Sequence, residues 1–164
     1  MTILLPVKRA LLLILPAALA LAGSSCGGGG GGQLSKGDYE AKIGAIVQPI
    51  QSSTLQKLVA ISAADQPGAV RALKNGELKL DDAASQLDAL KPPDDAVQPT
   101  QALAKGVREI ANQVTAVRKD AERGDFAKLV QFKLTLASDP AISEIRDAAI
   151  QLVNLGYNIT GQGP

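Results

Sequence analysis

The chain has 164 residues, with 17 Lys+Arg against 16 Asp+Glu, no His, no Trp, one Cys, one Met, two Tyr and two Phe. That length gives room for one modest domain, and the near-zero net charge leaves no field to steer a polyanion, so no nucleic-acid partner is expected. Without an imidazole, Ser-His-Asp and Cys-His catalysis are excluded and a transition-metal site loses its usual ligands; no catalytic residue, metal or cofactor is expected, and the chain reads as a non-enzyme.

Lys8 and Arg9 precede an uncharged run from Ala10 to Ala22 that ends in small residues, the layout of a secretory signal. A membrane-spanning helix needs about 20 apolar residues. This run is shorter and is followed by Gly23, Ser24, Ser25 and a block of glycines, so it predicts a removable leader rather than an anchor. Cys26 follows it directly, and Gly27 to Gly32 follow Cys26.

The stretch LALAGSSCGGGGGG resembles the lipobox of bacterial lipoproteins, with small residues at Ser24 and Ser25 and with Gly23 at the position that family usually gives to an aliphatic residue. The resemblance implies removal of residues 1–25 and diacylglyceryl modification of the Cys26 thiol. A competing cleavage after Ala20-Leu21-Ala22 gives a soluble secreted protein with a free thiol. The lone cysteine of an exported chain has no disulfide partner, and acylation removes that liability. Two acyl chains anchor stably where one does not. The leader carries two of the basic residues and none of the acidic ones, so the mature chain stays near neutral and electrostatic adsorption to lipid adds little. Residues 26–34 then form a lipidated, Gly-rich linker; the flexible stretch from Gly27 to Lys36 spans roughly 16–19 Å. The expected location is the outer face of the cytoplasmic membrane, with the membrane as partner through the lipid.

Residues 35–157 carry apolar residues at spacings of three and four and predict an all-α domain. Ser35-x-x-Asp38 opens the first helix, with Tyr39, Ile43, Ile46 and Ile50 on one stripe, and Leu55, Leu58 and Ile61 continuing it to an end by Ala64. Pro49 should kink or interrupt it. Asp65-Gln66-Pro67 starts a second helix on which Leu73, Leu80 and Leu87 repeat, flanked by Val70, Ala84 and Leu90; Asn75-Gly76 is its weak point. Lys91-Pro92-Pro93 stops it, and Asp94 or Asp95 is expected to cap the next.

The third helix has the clearest period, Thr100, Leu103, Val107, Ile110, Val114, Val117 and Ala121 in strict alternation of three and four. Gly124 reads as its C-terminal cap and Asp125 as the following N-cap. The last region holds Phe126, Leu129, Val130, Phe132, Leu134 and Leu136, then Asp139-Pro140, then Ile142, Ile145, Ala149, Leu152 and Leu155. It splits into a short helix over 125–137 and a longer one over 139–155, ended by Gly156. Residues 158–164 read as a flexible tail, with fraying expected from Tyr157 onward or Tyr157 folding back on the bundle. About four helices with short connections predict an antiparallel up-down bundle, monomeric, with a core of Leu, Ile, Val and Ala.

With its LDALKPPDD stretch (Leu87 to Asp95), long third helix and closing Leu155-Gly156-Tyr157, the mature domain resembles small, mostly uncharacterised helical lipoproteins of high-GC Gram-positive bacteria. That resemblance implies an exported lipoprotein and transfers no catalytic residue. The function expected is a non-catalytic binding module of the cell envelope, facing an unidentified envelope protein or ligand. The alternative is a carrier or sensor whose helices part at Pro49 and at Asn75-Gly76 to admit a lipid or small hydrophobic ligand.

Overall fold

A computed structural model of the chain describes residues 32–159, among which there are helices and turns and no strand. The expected leader, Cys26 and most of the glycine run fall outside the described residues, as do residues 160–164.

Helix α1 (Lys36–Pro49) starts as its sequence predicts: Ser35 Oγ accepts from the Asp38 N–H at 3.2 Å and donates to the Asp38 carboxylate at 2.6 Å. Pro49 does not end the arm. The chain widens into a π-helical turn, Ile50–Thr54, and returns to α-helix as α2 (Leu55–Ala60). The arm stops at Ala60, four residues short of Ala64, because Ile61 turns extended (φ −57°, ψ 129°) and its carbonyl takes the Lys133 ammonium at 2.7 Å instead of a helical N–H.

Helix α3 (Gln66–Ala89) is capped by the Asp65 carboxylate, which accepts from the Gly68 N–H at 3.0 Å, with Pro67 in the first turn where its missing donor costs nothing. Asn75-Gly76 does not break it; the helix is continuous and Leu73, Leu80 and Leu87 are all buried. Helix α4 (Val97–Glu122) buries every member of the predicted stripe from Thr100 to Ala121. Asp94 and Asp95 do not cap it. They lie in a 3-10 turn, Asp94–Ala96, and the helix starts behind Ala96 with no side-chain cap, because both carboxylates are engaged elsewhere, Asp94 by the Gln33 amide and Asp95 by the Tyr157 hydroxyl.

Gly124, at φ +87°, turns the chain out of α4. Asp125 accepts from the Ala127 N–H at 3.2 Å ahead of α5 (Ala127–Thr135), which tightens into a 3-10 turn at Leu136–Ser138. Asp139 accepts from the Ala141 N–H at 2.8 Å and Pro140 begins α6 (Pro140–Asn154), which Gly156 terminates at φ +81°. Tyr157 folds back on the bundle and is buried, and Ile159, read as part of a flexible tail, is buried too.

The α1/α2 arm, α3, α4 and α6 form an antiparallel up-down bundle, as the short connections predict. Arg108 with Asp88 and Arg118 with Glu77 show α4 running against α3; Lys105 with Glu144 and Gln113 with Asp139 show α6 running against α4. The α3–α4–α6 seam is close. At Gly106 a Cβ would stand 2.6 Å from Ile145 Cγ1 and 3.0 Å from the Ala141 carbonyl oxygen, so only glycine lets α4 and α6 meet there. Each fully buried Leu, Ile or Val contributes about 1.5–3 kcal/mol, and the core holds Leu73, Leu80, Leu87, Leu103, Ile110, Leu129 and Leu152 at 1% exposure or less.

The apolar residues of the last region are not all core, contrary to the reading from their spacing. Val130, Leu134 and Leu155 are exposed, Leu134 by 78%, and Ile142, Ile145 and Ala149 are only partly covered. The α1/α2 arm does not close on α6 as α3 and α4 close on each other.

Candidate functional site

Two apolar depressions follow from the path of α2. Pro49 has no N–H to give to the carbonyl four residues back, which disturbs the helical ladder there. In the next turn three hydroxyls bond back to the main chain: Ser52 Oγ donates to the Gln48 carbonyl at 2.8 Å, and Ser53 Oγ and Thr54 Oγ1 donate to the Pro49 carbonyl at 2.9 and 3.2 Å. The Leu55 N–H then reaches back five residues to the Ile50 carbonyl, the wide spacing of a π turn. That turn re-aims α2, and Leu58 comes down on Gly76, where a Cβ would stand 2.6 Å from Leu58 Cδ2. Asn75-Gly76 is thus a seat for the facing helix and not a break.

Beside this contact α2 and α3 stand apart, leaving a half-open cleft of about 560 Å³. Its floor is Leu58, Ile61, Gly76 and Thr54, all buried, with Ala60, Ala72 and Leu78 along the walls. Small-molecule sites run to roughly 300–1,000 Å³ and are mostly apolar with a few polar groups. The polar groups here are the Asn75 amide and the exposed Lys57 and Lys79, one lysine from each wall. Neither lysine has a hydrogen bond or ion pair among the described residues, and no Asp or Glu lines the cleft.

The second depression is a trough between α2 and α6, about 400 Å³, lined by Leu55, Ile142, Ile145, Ala149, Ile150 and Val153. It continues past Leu55 and Ile142 into a further space of about 470 Å³ beside Val59 and Leu136. Ile150 and Val153 are about half exposed there.

The pole where residues 33–36 join the bundle is fastened by the chain's two tyrosines. Thr100 Oγ1 donates to the Ala96 carbonyl at 2.6 Å, so it accepts from Tyr39 Oη at 2.7 Å. Tyr157 Oη donates to Asp95 at 2.6 Å, the two rings meet edge to face at 5.2 Å, and Lys36 Nζ lies 5.1 Å from the Tyr157 ring centre. The hydrogen bond to Asp95 pushes the Tyr157 phenol up to about 12, and burial raises that of Tyr39. The Leu34 N–H donates to the Lys91 carbonyl at 2.7 Å, so the linker is held from its last residues.

The carboxylates do not converge. Asp81 and Asp82 lie exposed on α3, Asp94 and Asp95 at the tyrosine pole, and no group of three or more His, Cys, Asp or Glu is placed to hold a metal among the described residues. On α3 and α4, Glu77 takes Arg118 Nε at 2.5 Å, and this hydrogen bond holds the Glu77 carboxyl below its usual range and raises Arg118. This pair joins the two helices, and no carboxylate lines either depression. The predicted lipidation residue, Cys26, lies outside the described residues, and among those residues no helix is long and apolar enough to cross a membrane.

Sequence reasoning singled out neither lysine, while Asn75-Gly76, one of the two places where the carrier alternative had the helices part, lines the cleft. The available signal for the lysines' setting was the run Ser52-Ser53-Thr54 in the turn after a mid-helix proline, which predicts a widened turn, facing a helical glycine across the bundle. No protein-family model, no curated protein and no solved structure matches the chain.

Proposed function

We propose that the protein is an exported lipoprotein, anchored through acyl chains on Cys26, whose non-catalytic bundle is a binding module of the cell envelope for a small hydrophobic ligand held between α2 and α3. The observation that carries this reading is the half-open apolar cleft of about 560 Å³ beside the contact of Leu58 with Gly76. The absence of His from the sequence and the dispersal of carboxylates among the described residues support a role in binding rather than turnover. The Gly-rich stretch before the domain supports a slack tether.

The test is displacement of an environment-sensitive apolar fluorophore. The chain takes up one equivalent, long alkyl compounds displace it, and Ala60→Phe, which adds bulk at an exposed wall position, abolishes uptake without changing the helical content. Failure of the wild-type chain to bind any such probe or alkyl competitor refutes the reading.

A second reading has its own observation. The α2–α6 trough, with Ile150 and Val153 open along it, has the form of a groove for an apolar helix face of an envelope protein. Crosslinking from intact envelopes through a photoreactive residue at Ile150 tests it, and recovery of no protein adduct removes it.

A further inference from the structure

The cleft between α2 and α3 is apolar along its length and cationic at its rim. This inference rests on the hydrophobic-ligand reading above and adds what the other end of the ligand must be. Lys57 stands on the α2 wall and Lys79 on the α3 wall, both exposed, both without a partner among the described residues. Many other cations of the bundle are committed: Lys105, Arg108, Arg118 and Arg123 to carboxylates, Lys133 to a carbonyl, Lys36 to the Tyr157 ring. Asp82, one turn along α3 from Lys79, shares with it the adjoining groove against α1, does not line the cleft, and accepts from the Gln86 amide at 2.7 Å. An apolar ligand with a neutral or cationic end gains nothing from two ammonium groups, and a cationic end is repelled by them. An anionic end gains a charge-assisted contact from each wall.

Size limits the apolar part. At about 560 Å³ the cleft is of the size of a small-molecule site, and its floor of Leu58, Ile61 and Gly76 is a single strip between α2 and α3 on which one alkyl chain can lie. The cleft is also remote from the tether: at about 1.5 Å per residue Leu58 lies roughly 30 Å along the arm from Lys36, so its mouth belongs to the half of the bundle away from the attachment point.

We infer that the α2–α3 cleft binds a single-chain anionic amphiphile, of the class of long-chain fatty acids, with the chain over Leu58 and Gly76 and the carboxylate between Lys57 and Lys79.

The test uses the full chain carrying Cys26→Ser, so that the protein brings no acyl group of its own, titrated with palmitate, hexadecanol and hexadecylamine. Palmitate is expected to bind about five- to tenfold more tightly than hexadecanol, the worth of two partly screened charge contacts, and hexadecylamine more weakly than either. Lys57→Glu with Lys79→Glu removes the preference for palmitate, bringing its affinity to or below that of hexadecanol, while Ala60→Phe abolishes binding of both. Equal binding of palmitate and hexadecanol, unaffected by the charge reversals, overturns the anionic-head assignment and leaves the apolar cleft standing. Binding of none of the three overturns both. Palmitate binding that survives Ala60→Phe places the ligand elsewhere and overturns the assignment as well.

Discussion

Gly76 and Gly106 offer a matched pair of substitutions to alanine. Both lie in helix interiors, so each gains about 0.5–1 kcal/mol from the lost flexibility of the unfolded chain and the better helix propensity. In both, the new methyl carbon would sit 2.6 Å from a side-chain atom, Leu58 Cδ2 or Ile145 Cγ1. The neighbourhoods differ. Leu58 Cδ2 is the tip of a flexible side chain bordering an open cleft, and a shift of under about 1 Å into that space restores ordinary contact. At Gly106 the second obstacle is the Ala141 carbonyl oxygen at 3.0 Å, part of the first turn of α6, which moves only with its helix. Overpacking a closed seam costs about 1–3 kcal/mol. Gly76→Ala is therefore expected to leave stability within about 1 kcal/mol of the wild type, and Gly106→Ala to lose about 1–2 kcal/mol net. Denaturant unfolding followed by far-ultraviolet circular dichroism measures both. Equal destabilisation, or a more damaging Gly76→Ala, refutes the description of one contact as facing free space and the other as facing backbone. Gly76→Ala should also weaken alkyl-chain uptake, because Leu58 moves into the volume the ligand needs.

Other expectations are independent of this pair. Cys26→Ser should move the protein from the membrane fraction to the soluble fraction; unchanged fractionation counts against the lipid anchor. Glu77 has its carboxyl lowered by the Arg118 hydrogen bond, so its contribution is full above the ordinary carboxylate value of the unfolded chain and is lost as pH falls through the lower folded-state value. Arg118→Met should flatten that acid slope and cost about 1 kcal/mol at neutral pH, readable in unfolding titrations across the acid range. Tyr157, raised from 10.0 to about 12, stabilises the fold fully below the lower value, and this contribution fades as pH rises through the higher one. In Asp95→Asn the acceptor keeps its shape and loses its charge. Tyrosinate absorbance should then report one phenol titrating nearer its ordinary value, and an unchanged curve contradicts the assignment.

The parts of this fold that were legible in the sequence are those fixed by local rules. The α4 stripe is buried throughout because a 3-4 alternation places its members on one face whatever packs against them. Asp65, Gly124 and Asp139-Pro140 mark element ends because caps and left-handed turns are chemistry within a few residues. What spacing could not convey was how the arms meet. The apolar residues of α5 and α6 follow helical periods, yet Leu134 and Val153 face outward, since burial depends on whether another helix arrives. Asp94 and Asp95 sit where a cap is expected, and long-range partners, Gln33 and Tyr157, claim them instead. Pro49 signals a disturbance without its form. The form is a π turn whose hydroxyls, on Ser52, Ser53 and Thr54, bond back to the Gln48 and Pro49 carbonyls, and the cleft lies along α2 just past it.

Native mass spectrometry of the protein taken from its own membranes in mild detergent bears most directly on the role proposed for it. The predicted result is a polypeptide beginning at an acylated Cys26 that carries one noncovalent apolar adduct, and loss of that adduct in the Ala60→Phe variant. A mature chain with an unmodified thiol and no adduct would contradict both the anchor and the cleft.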